Sequence, residues 1–128
     1  MRLHHAALVS SSESKADTFY EGILKLRKIK ALMLEDSLAA RIFGVDAGCT
    51  LVLYGNEDFA IEVFVTEGFP RNREPFAHLC LEVEDRDTFL KDCESKGLET
   101  TLVPRGDRQL CFIKDFDGNL FEIKERTG

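Results

Sequence analysis

The sequence lacks the features that would place the protein in a membrane or on nucleic acid. No apolar run approaches the ~20 residues that a helix needs to cross a bilayer. Basic residues are in the minority, 17 against 23 acidic ones, and the net charge is −6. Because an acidic chain without a basic stripe binds nucleic acid and anionic membranes poorly, we expect neither among its partners.

The chain also lacks the cysteine spacing of a thiolate metal site. Its four cysteines include no C-x-x-C pair, whereas thiolate zinc sites use close-spaced pairs. Scattered cysteines are typical of reduced, packed thiols. The N-terminus, from Met1 to His5, leads directly into a strand-like run and has no long apolar segment of the kind that a signal peptide contains. These patterns favour a cytoplasmic protein without a disulfide framework.

The chain contains instead one order of predicted elements that occurs twice. In the first copy, a strand at 3–9 precedes a helix, and Ser10 and Glu13 have the spacing of a capping box. The helix has an apolar stripe with helical periodicity, formed by Ala16, Phe19, Tyr20, Ile23 and Leu24. Shorter strands are predicted to follow at 38–45, 49–54 and 60–66. The Lys25–Lys30 run, which lies between the helix and these strands, is predicted to be a solvated helix end.

The second copy begins after a proline-containing linker at 67–75. A strand at 77–83 precedes a short helix, with Asp85 as its N-cap and Gly97 at its C-terminal end. The remaining strands are predicted near 99–103, 109–114 and 119–124, with the last two joined by a tight Asp117-Gly118 turn.

Residues repeat along with the elements, which predicts two matching sheets. His5 corresponds to His78, the Thr18-Phe19 pair to Thr88-Phe89, and Glu62 to Glu122. We therefore predict an α+β fold of two paired β-α-β-β-β modules that form a cupped mixed sheet with the helices outside. The predicted single domain spans 1–128, with module 1 at 1–66 and module 2 at 76–128.

Strand alternation predicts that one His and one Glu from each module share a sheet face. Successive side chains on a strand point to opposite faces. In the strands that carry His78, Glu62 and Glu122, the alternate positions are apolar and should meet the helices. These are Leu79, Leu81 and Val83, then Ile61, Val63 and Val65, then Phe121 and Ile123. The three polar residues should therefore project from the opposite, concave face.

The first strand is less strictly patterned. His5 alternates with Ala6 and Leu8, which places it on the concave face, but a slip of one residue would turn His4 inward instead. Alignment with His78 favours His5.

Two imidazoles and two carboxylates on one sheet face predict a divalent metal. Unpaired carboxylates there would cost several kcal/mol to desolvate. Nitrogen and oxygen donors without thiolate suit Ni²⁺, Zn²⁺ or Co²⁺, with Mn²⁺ or Fe²⁺ as alternatives. Four protein ligands on an octahedral ion leave two positions for water or substrate. The predicted ligands are His5, Glu62, His78 and Glu122.

The sequence resembles the vicinal oxygen chelate superfamily, which includes glyoxalase I, fosfomycin-resistance enzymes, extradiol dioxygenases and bleomycin-resistance proteins. The matching segments are Leu3–Val9 with Phe19-Tyr20, Ile61-Glu62-Val63, Phe76–Leu79 and Asp115–Glu122. Dioxygenases and fosfomycin enzymes typically have two His and one Glu and lack a Glu at the position of Glu62. Having all four ligand positions, this chain resembles glyoxalase I more closely.

The resemblance implies a homodimer and a small-molecule substrate. It implies metal-dependent lyase or isomerase chemistry, in which the metal binds two adjacent substrate oxygens and stabilises an enediolate. Glu122 would be the general base and Glu62 the alternate. An Fe²⁺ dioxygenase using His5, His78 and Glu122, or a non-catalytic binding protein of the resistance type, remains an alternative.

Further residues are candidates for contact with the substrate. Tyr54, Phe64 and Phe112 are aromatic strand residues that could line a cavity, and loop arginines such as Arg73, Arg105 and Arg108 could bind a carboxylate or phosphate. Cys80 shares a face with His78, where a buried structural thiol is the expected role.

Overall fold

A computed structural model describes residues 1–45, 48–67 and 74–127 of the chain. The chain forms two compact units, Met1–Pro70 and Arg71–Gly128. Each unit holds a four-stranded mixed sheet, and three α-helices are present in the described residues. The predicted α+β fold of two β-α-β-β-β modules is confirmed. None of the helices in the described part of the chain has the length and apolar character needed to span a bilayer.

The described residues of unit 1 form seven elements. They are β1 (Ala6–Ser10), α1 (Glu13–Ala16), a π-helical segment (Asp17–Glu21), β2 (Arg27–Leu34), α2 (Asp36–Phe43), β3 (Cys49–Gly55) and β4 (Ala60–Val65). The strand order is β1-β4-β3-β2. The pairing of β1 with β4 is parallel and the other two pairings are antiparallel.

Unit 2 repeats the topology of this sheet. In its described residues, no helix lies between the second and third strands. Its elements are β5 (Leu79–Val83), α3 (Arg86–Ser95), β6 (Thr100–Arg105), β7 (Arg108–Lys114) and β8 (Leu120–Glu125). The strand order is β5-β8-β7-β6, again with a parallel pairing between the first and last strands. The internal repeat predicted from the sequence is therefore a repeat of topology.

The first helix begins two residues later than its sequence pattern predicts. Ser12 is the N-cap, and its Oγ accepts a hydrogen bond from the Lys15 amide at 3.0 Å. Ser10 is still part of β1, because its carbonyl accepts a hydrogen bond from the Thr66 amide. The ladder with β4 thus delays the helix start. In unit 2 the predicted cap is correct, since Asp85 accepts a hydrogen bond from the Thr88 amide.

The prediction of a strand at 38–45 is wrong, because this segment lies mostly in α2. Its apolar residues Leu38, Ala39, Ile42 and Phe43 recur at helical spacing. Ala39 is fully buried, and the helix ends at Gly44, which has a φ of +69°. A left-handed glycine at this position is a common helix terminator.

The strand β2 was not predicted, and the Lys25–Lys30 run is not a helix end. Arg27 to Leu34 pair with β3 along the edge of the sheet. A register shift between Lys28 and Lys30 interrupts the alternation that would have revealed a strand. Lysines are common on edge strands, where they discourage pairing with another chain.

The core of each unit lies between its sheet and the helix that follows the first strand. In unit 1, Ala16, Phe19, Tyr20 and Ile23 of the predicted stripe are at most 2% exposed, and the Tyr20 ring stacks on that of Tyr54 with centroids 5.0 Å apart. In unit 2, the buried apolar residues of the described chain are Leu90, Cys93, Leu98, Cys111, Ile113, Phe121 and Ile123.

Candidate metal centre

His5 and Glu62 form a pair on one face of the unit 1 sheet. His5 directly precedes β1, and Glu62 lies in the middle of β4, opposite Ala7 in the parallel ladder. The His5 Nε2 and Glu62 Oε2 atoms are 3.6 Å apart, and the side chains are 35% and 20% exposed. The neighbouring β4 residues Ile61 and Val63 are buried on the other face. The predicted alternation holds in this unit.

His78 and Glu122 form the equivalent pair in unit 2. His78 directly precedes β5, and Glu122 in β8 lies opposite Cys80. The His78 Nε2 and Glu122 Oε2 atoms are 3.9 Å apart, with the side chains 36% and 16% exposed. Phe121 and Ile123 are buried on the opposite face.

The two pairs have the same register. In each unit the His lies two residues before the strand residue that is paired with the Glu, which is Ala7 in unit 1 and Cys80 in unit 2. Since side chains two apart on a strand share a face, the register brings each His next to its Glu. Both halves of the repeat therefore build the same arrangement of donors.

The structure places His5, rather than His4, beside the carboxylate. His4 is exposed, and its Nδ1 lies 2.8 Å from His5 Nδ1. This contact orients the His5 ring with Nε2 toward Glu62.

A hydrogen bond fixes which nitrogen of His78 is available to a ligand. His78 Nδ1 lies 2.8 Å from the Phe76 carbonyl oxygen. A carbonyl only accepts, so Nδ1 carries the proton, and in that tautomer the Nε2 lone pair faces Glu122. Metal-bound histidines are commonly held in this way by a backbone carbonyl. Two acceptors that face each other are complementary to a cation between them.

The distances within each pair are compatible with a shared ion. Imidazole nitrogens lie about 2.0–2.1 Å and carboxylate oxygens about 2.0–2.2 Å from Zn²⁺, so a nitrogen and an oxygen bound to one ion are at most about 4.3 Å apart. Both pairs meet this limit, at 3.6 and 3.9 Å. In the described residues, no group of three or more His, Cys, Asp or Glu side chains is placed to hold a metal ion. Each unit thus presents a pair of donors.

Two of the three aromatic candidates lie on the faces that carry these pairs. Phe112 is opposite Glu122 in the ladder, and its ring centroid is 5.9 Å from that of His78. Phe64 lies two residues from Glu62 on β4, and its ring contacts Phe43 of α2 at 5.0 Å.

Tyr54 does not line this face. It is fully buried on the opposite side of the sheet, and its hydroxyl donates to Asp17 Oδ1 at 2.8 Å. Burial and the Asp17 carboxylate raise the pKa of Tyr54. The expectation that Tyr54 contacts substrate is corrected, because tertiary packing assigns it to the helix side of the sheet.

Two of the three predicted arginines line a cavity that Glu122 also borders, and the third lies outside the described residues. Arg105 and Arg108 are exposed and line an open cavity of about 880 Å³ around the hairpin between β6 and β7. Arg86 also lines it, and its guanidinium donates to the Gln109 carbonyl at 3.2 Å. Glu122 borders the same cavity. Arg73 lies outside the described residues.

Cys80 is exposed rather than buried, in contrast to the expectation from its sequence. Partial desolvation and the adjacent Glu122 carboxylate raise the pKa of its thiol. The sheet face that carries Glu122 is open to solvent at this position, which alternation alone does not reveal.

Sequence reasoning missed the residues contributed by α2. A cavity of about 320 Å³ lies on the Glu62 face of the unit 1 sheet, and Ala39, Phe43 and Val45 form part of its lining. The helical spacing of Leu38, Ala39, Ile42 and Phe43 was the signal that could have identified them.

Comparison with known proteins supports the relationship suggested by the motifs. Residues 2–123 match the family model of the glyoxalase/bleomycin resistance protein/dioxygenase superfamily. No curated protein matches the chain.

Solved structures share the fold at low sequence identity. A glyoxalase family protein from Enterococcus faecalis is 21% identical, with a TM-score of 0.75 and 95% of each chain covered. The fosfomycin resistance protein FosX from Listeria monocytogenes is 18% identical, with a TM-score of 0.74 over 99% of this chain and 94% of that one.

The trypanothione-dependent glyoxalase I of Leishmania major is also 18% identical, with a TM-score of 0.75 over 98% of this chain and 86% of that one. At these identities the structures establish the fold alone, while the family model covers nearly the whole sequence. The chain therefore belongs to the glyoxalase/bleomycin resistance protein/dioxygenase superfamily, which is the vicinal oxygen chelate superfamily.

Proposed function

We propose that the protein is a metal-dependent lyase or isomerase of the glyoxalase I type. Its ligands to one divalent ion, Ni²⁺, Zn²⁺ or Co²⁺, are His5, Glu62, His78 and Glu122. The observation that carries the proposal is the pair of matched His–Glu contacts, at 3.6 and 3.9 Å, in the same register of two repeated sheets.

The donor chemistry of the pairs fits such an ion. Each pair offers one imidazole nitrogen and one carboxylate oxygen, which suit borderline divalent metals. When bound, the metal supplies Lewis-acid polarisation of two adjacent substrate oxygens. This polarisation acidifies the neighbouring C–H bond and allows a carboxylate to act as a base.

Glu122 is proposed as the general base that takes the carbon-bound proton. It lies between Cys80 of β5 and Phe112 of β7 across its two neighbouring strands. Its side chain is 16% exposed, the lowest value among the four candidate ligands. Glu62, opposite Leu53 and Ala7, is the alternate base.

The ring of His78 is held in one orientation by the backbone. The Phe76 carbonyl holds its Nδ1 proton, so Nε2 keeps its lone pair and its direction toward Glu122. Loss of such a supporting contact typically lowers metal affinity 10- to 100-fold.

We further propose a homodimer in which the His5–Glu62 pair of one chain and the His78–Glu122 pair of another hold the same ion. Mixing His5→Ala with His78→Ala protein tests this arrangement, because only sites that combine two chains can then contain four intact ligands. We expect activity to return on mixing. If each variant is inactive alone and the mixture stays inactive although subunits exchange, the shared site is excluded.

Elemental analysis of protein purified without chelator tests the proposed function. We expect about one Ni, Zn or Co per chain, together with lyase activity on the adduct of methylglyoxal and glutathione that is lost with a chelator and restored by metal. Iron with substrate-dependent oxygen uptake would instead indicate a dioxygenase. Protein that binds no added divalent metal contradicts the proposal and favours a binding protein.

A further inference from the structure

The apolar cavity of unit 1 adjoins the His5–Glu62 pair on the same face of the sheet. Its volume is about 320 Å³, at the lower end of the range for small-molecule sites. The residues that line it are Ala7, Leu8, Val9, Leu34, Ala39, Phe43, Val45, Cys49, Phe64 and Thr66. All of them belong to unit 1.

The strand register places lining residues of the cavity on the same face as the proposed ligands and next to them along each strand. Ala7 and Val9 follow His5 at intervals of two, and Phe64 follows Glu62 at the same interval. Residues two apart on a strand lie about 7 Å from each other along the same face. A substituent that extends about 7 Å from oxygens held at His5 and Glu62 therefore reaches the cavity.

The helix α2 forms part of the cavity wall. Its Ala39 is fully buried, and its Phe43 ring meets the Phe64 ring edge to face at 5.0 Å. Unit 2 has no counterpart in its described residues, since only Gly106 and Asp107 lie between β6 and β7. The cavity is thus a property of one half of the repeat.

The cavity lining disfavours a ligand substituent that carries a charge. None of the described lining residues is charged at neutral pH, because burial raises the pKa of the Cys49 thiol and keeps it protonated. Thr66 supplies the single hydroxyl. A charged substituent would lose its hydration here without a partner, whereas an apolar one would gain from leaving water.

We infer that this cavity is a specificity subsite for an uncharged apolar substituent, aromatic or branched aliphatic, of the substrate. The inference rests on the proposed function, because the adjacent oxygens of the same substrate are held at His5 and Glu62. The substrate class is thus an apolar compound with two vicinal oxygens, with the substituent packed between Val9, Phe43 and Phe64.

Two hydroxamates that differ by one ring test the subsite. Acetohydroxamate and phenylacetohydroxamate present the same pair of adjacent oxygens to a metal, and only the second has a phenyl group. With Zn²⁺- or Ni²⁺-loaded protein, we expect phenylacetohydroxamate to bind at least about tenfold more tightly, since a single methylene in an apolar pocket already contributes about 10- to 200-fold. Titration calorimetry measures the ratio. Equal affinities overturn the subsite and leave the proposed function standing.

Val9→Phe and Val103→Phe form a matched pair of variants. Both valines lie on edge strands, and they are 42% and 43% exposed. Phe at position 9 fills the cavity and should reduce the affinity ratio to about one, while Phe at position 103 should leave the ratio as in the wild type. Equal ratios in the two variants overturn the inference.

Phe43→Ala provides a test that does not depend on Val9→Phe folding. This change enlarges the cavity at a residue that is 52% exposed. It should favour naphthylacetohydroxamate over phenylacetohydroxamate by at least about fivefold relative to the wild type, because the removed ring leaves room for the second one. An unchanged preference contradicts the subsite.

Failure of the proposed function is recognised separately. If neither hydroxamate binds the metal-loaded protein, benzyl alcohol is titrated into metal-free protein and followed by the methyl NMR signals of Leu8 and Leu34, which Val9→Phe retains. Saturable shifts that Val9→Phe abolishes support the cavity as an apolar site, and their absence overturns it. If Val9→Phe, but not Val103→Phe, dissociates an oligomer in sedimentation velocity, the cavity is an interface between copies and the inference is wrong.

Discussion

Unit 1 and unit 2 hold a histidine and a glutamate in the same register but surround each pair differently. In unit 1, α2 lies between the second and third strands and lines an apolar cavity on the Glu62 face of the sheet. In unit 2 the corresponding connection is a short turn, and Glu122 faces the exposed Cys80 and borders an open cavity lined by arginines. The same donor pair thus occurs in an apolar setting and in a polar one.

The cores of the two units also differ at equivalent positions. Tyr54 in unit 1 is opposite Ile61, and Ile113 in unit 2 is opposite Phe121. Tyr54 takes part in a polar network in which Asp17 also pairs with Lys28, whereas Ile113 is purely apolar. Repetition therefore preserves the strand register and the donor pair, while the residues behind the sheet are free to diverge.

The largest expected effect distinguishes the two carboxylates. Glu122→Gln keeps an oxygen donor but removes the proposed base, so we expect kcat to fall by about 10²- to 10⁴-fold with metal still bound. Glu62→Gln should lower kcat less than Glu122→Gln does. Steady-state kinetics with metal analysis of each variant measures the difference. Near-normal turnover in Glu122→Gln contradicts the assignment of the base.

The second prediction concerns the symmetry of the donor pairs. His5→Ala and His78→Ala should each lower metal affinity by at least about 100-fold, since even supporting contacts around a metal contribute 10- to 100-fold. Competition with a metal-binding dye measures both affinities. His4→Ala is the control and should change affinity far less than His5→Ala. A strong effect of only one of the two ligand variants shows that a single unit binds the metal.

A smaller effect is expected from the polar network in unit 1. Tyr54→Phe removes the hydroxyl that donates to Asp17, and loss of a buried hydrogen bond to a charged group should lower the free energy of unfolding by about 1–3 kcal/mol. Urea denaturation measures the change. Adding Asp17→Asn tests the coupling, because Tyr54→Phe should then cost less. A cost that is equal in both backgrounds means that the hydrogen bond does not contribute.

The smallest effect is expected at alkaline pH and involves Cys93. This residue is fully buried where unit 1 has Ile23, and burial raises the pKa of its thiol from 9.0 to about 11. A raised folded-state pKa stabilises the fold below pH 9, and this contribution is lost as pH rises toward 11, because the unfolded thiol ionises first.

The stability difference between wild type and Cys93→Ala should therefore shrink between pH 8 and pH 11. Ile23→Val is the matched control, since neither side chain titrates and its cost should stay constant with pH. Urea denaturation at several pH values measures both series. A Cys93→Ala cost that does not change with pH contradicts the predicted shift.

Much of the candidate site could be predicted from sequence because a strand has a fixed period of two. The burial of Ile61, Val63, Phe121 and Ile123 follows from that period, as does the common direction of Glu62 and Phe64. The repeat added the correspondence between His5 and His78. Local patterns of this kind persist because each apolar face must be buried somewhere.

Other features depended on pairing between distant segments. The sequence predicts that Ser10 caps the helix, but its pairing with Val65 of β4 keeps it in a strand. The alternation of β2 is broken by a register shift against β3, so the strand is visible only once β3 is in place. The sequence pattern is compatible with Tyr54 on either face of the sheet. Its hydrogen bond to the Asp17 carboxylate places it on the helix side.

The sequence by itself determined the two modules, the family and the four candidate donors, since these depend on strand period, repetition and short motifs. Only the tertiary structure decided that each His lies within 4 Å of its Glu, that Nε2 of His78 is the available nitrogen, and that α2 lines a cavity on the Glu62 face. The physical reason is that distances, hydrogen-bond partners and enclosed volume arise from segments far apart in the chain, whose packing no local pattern encodes.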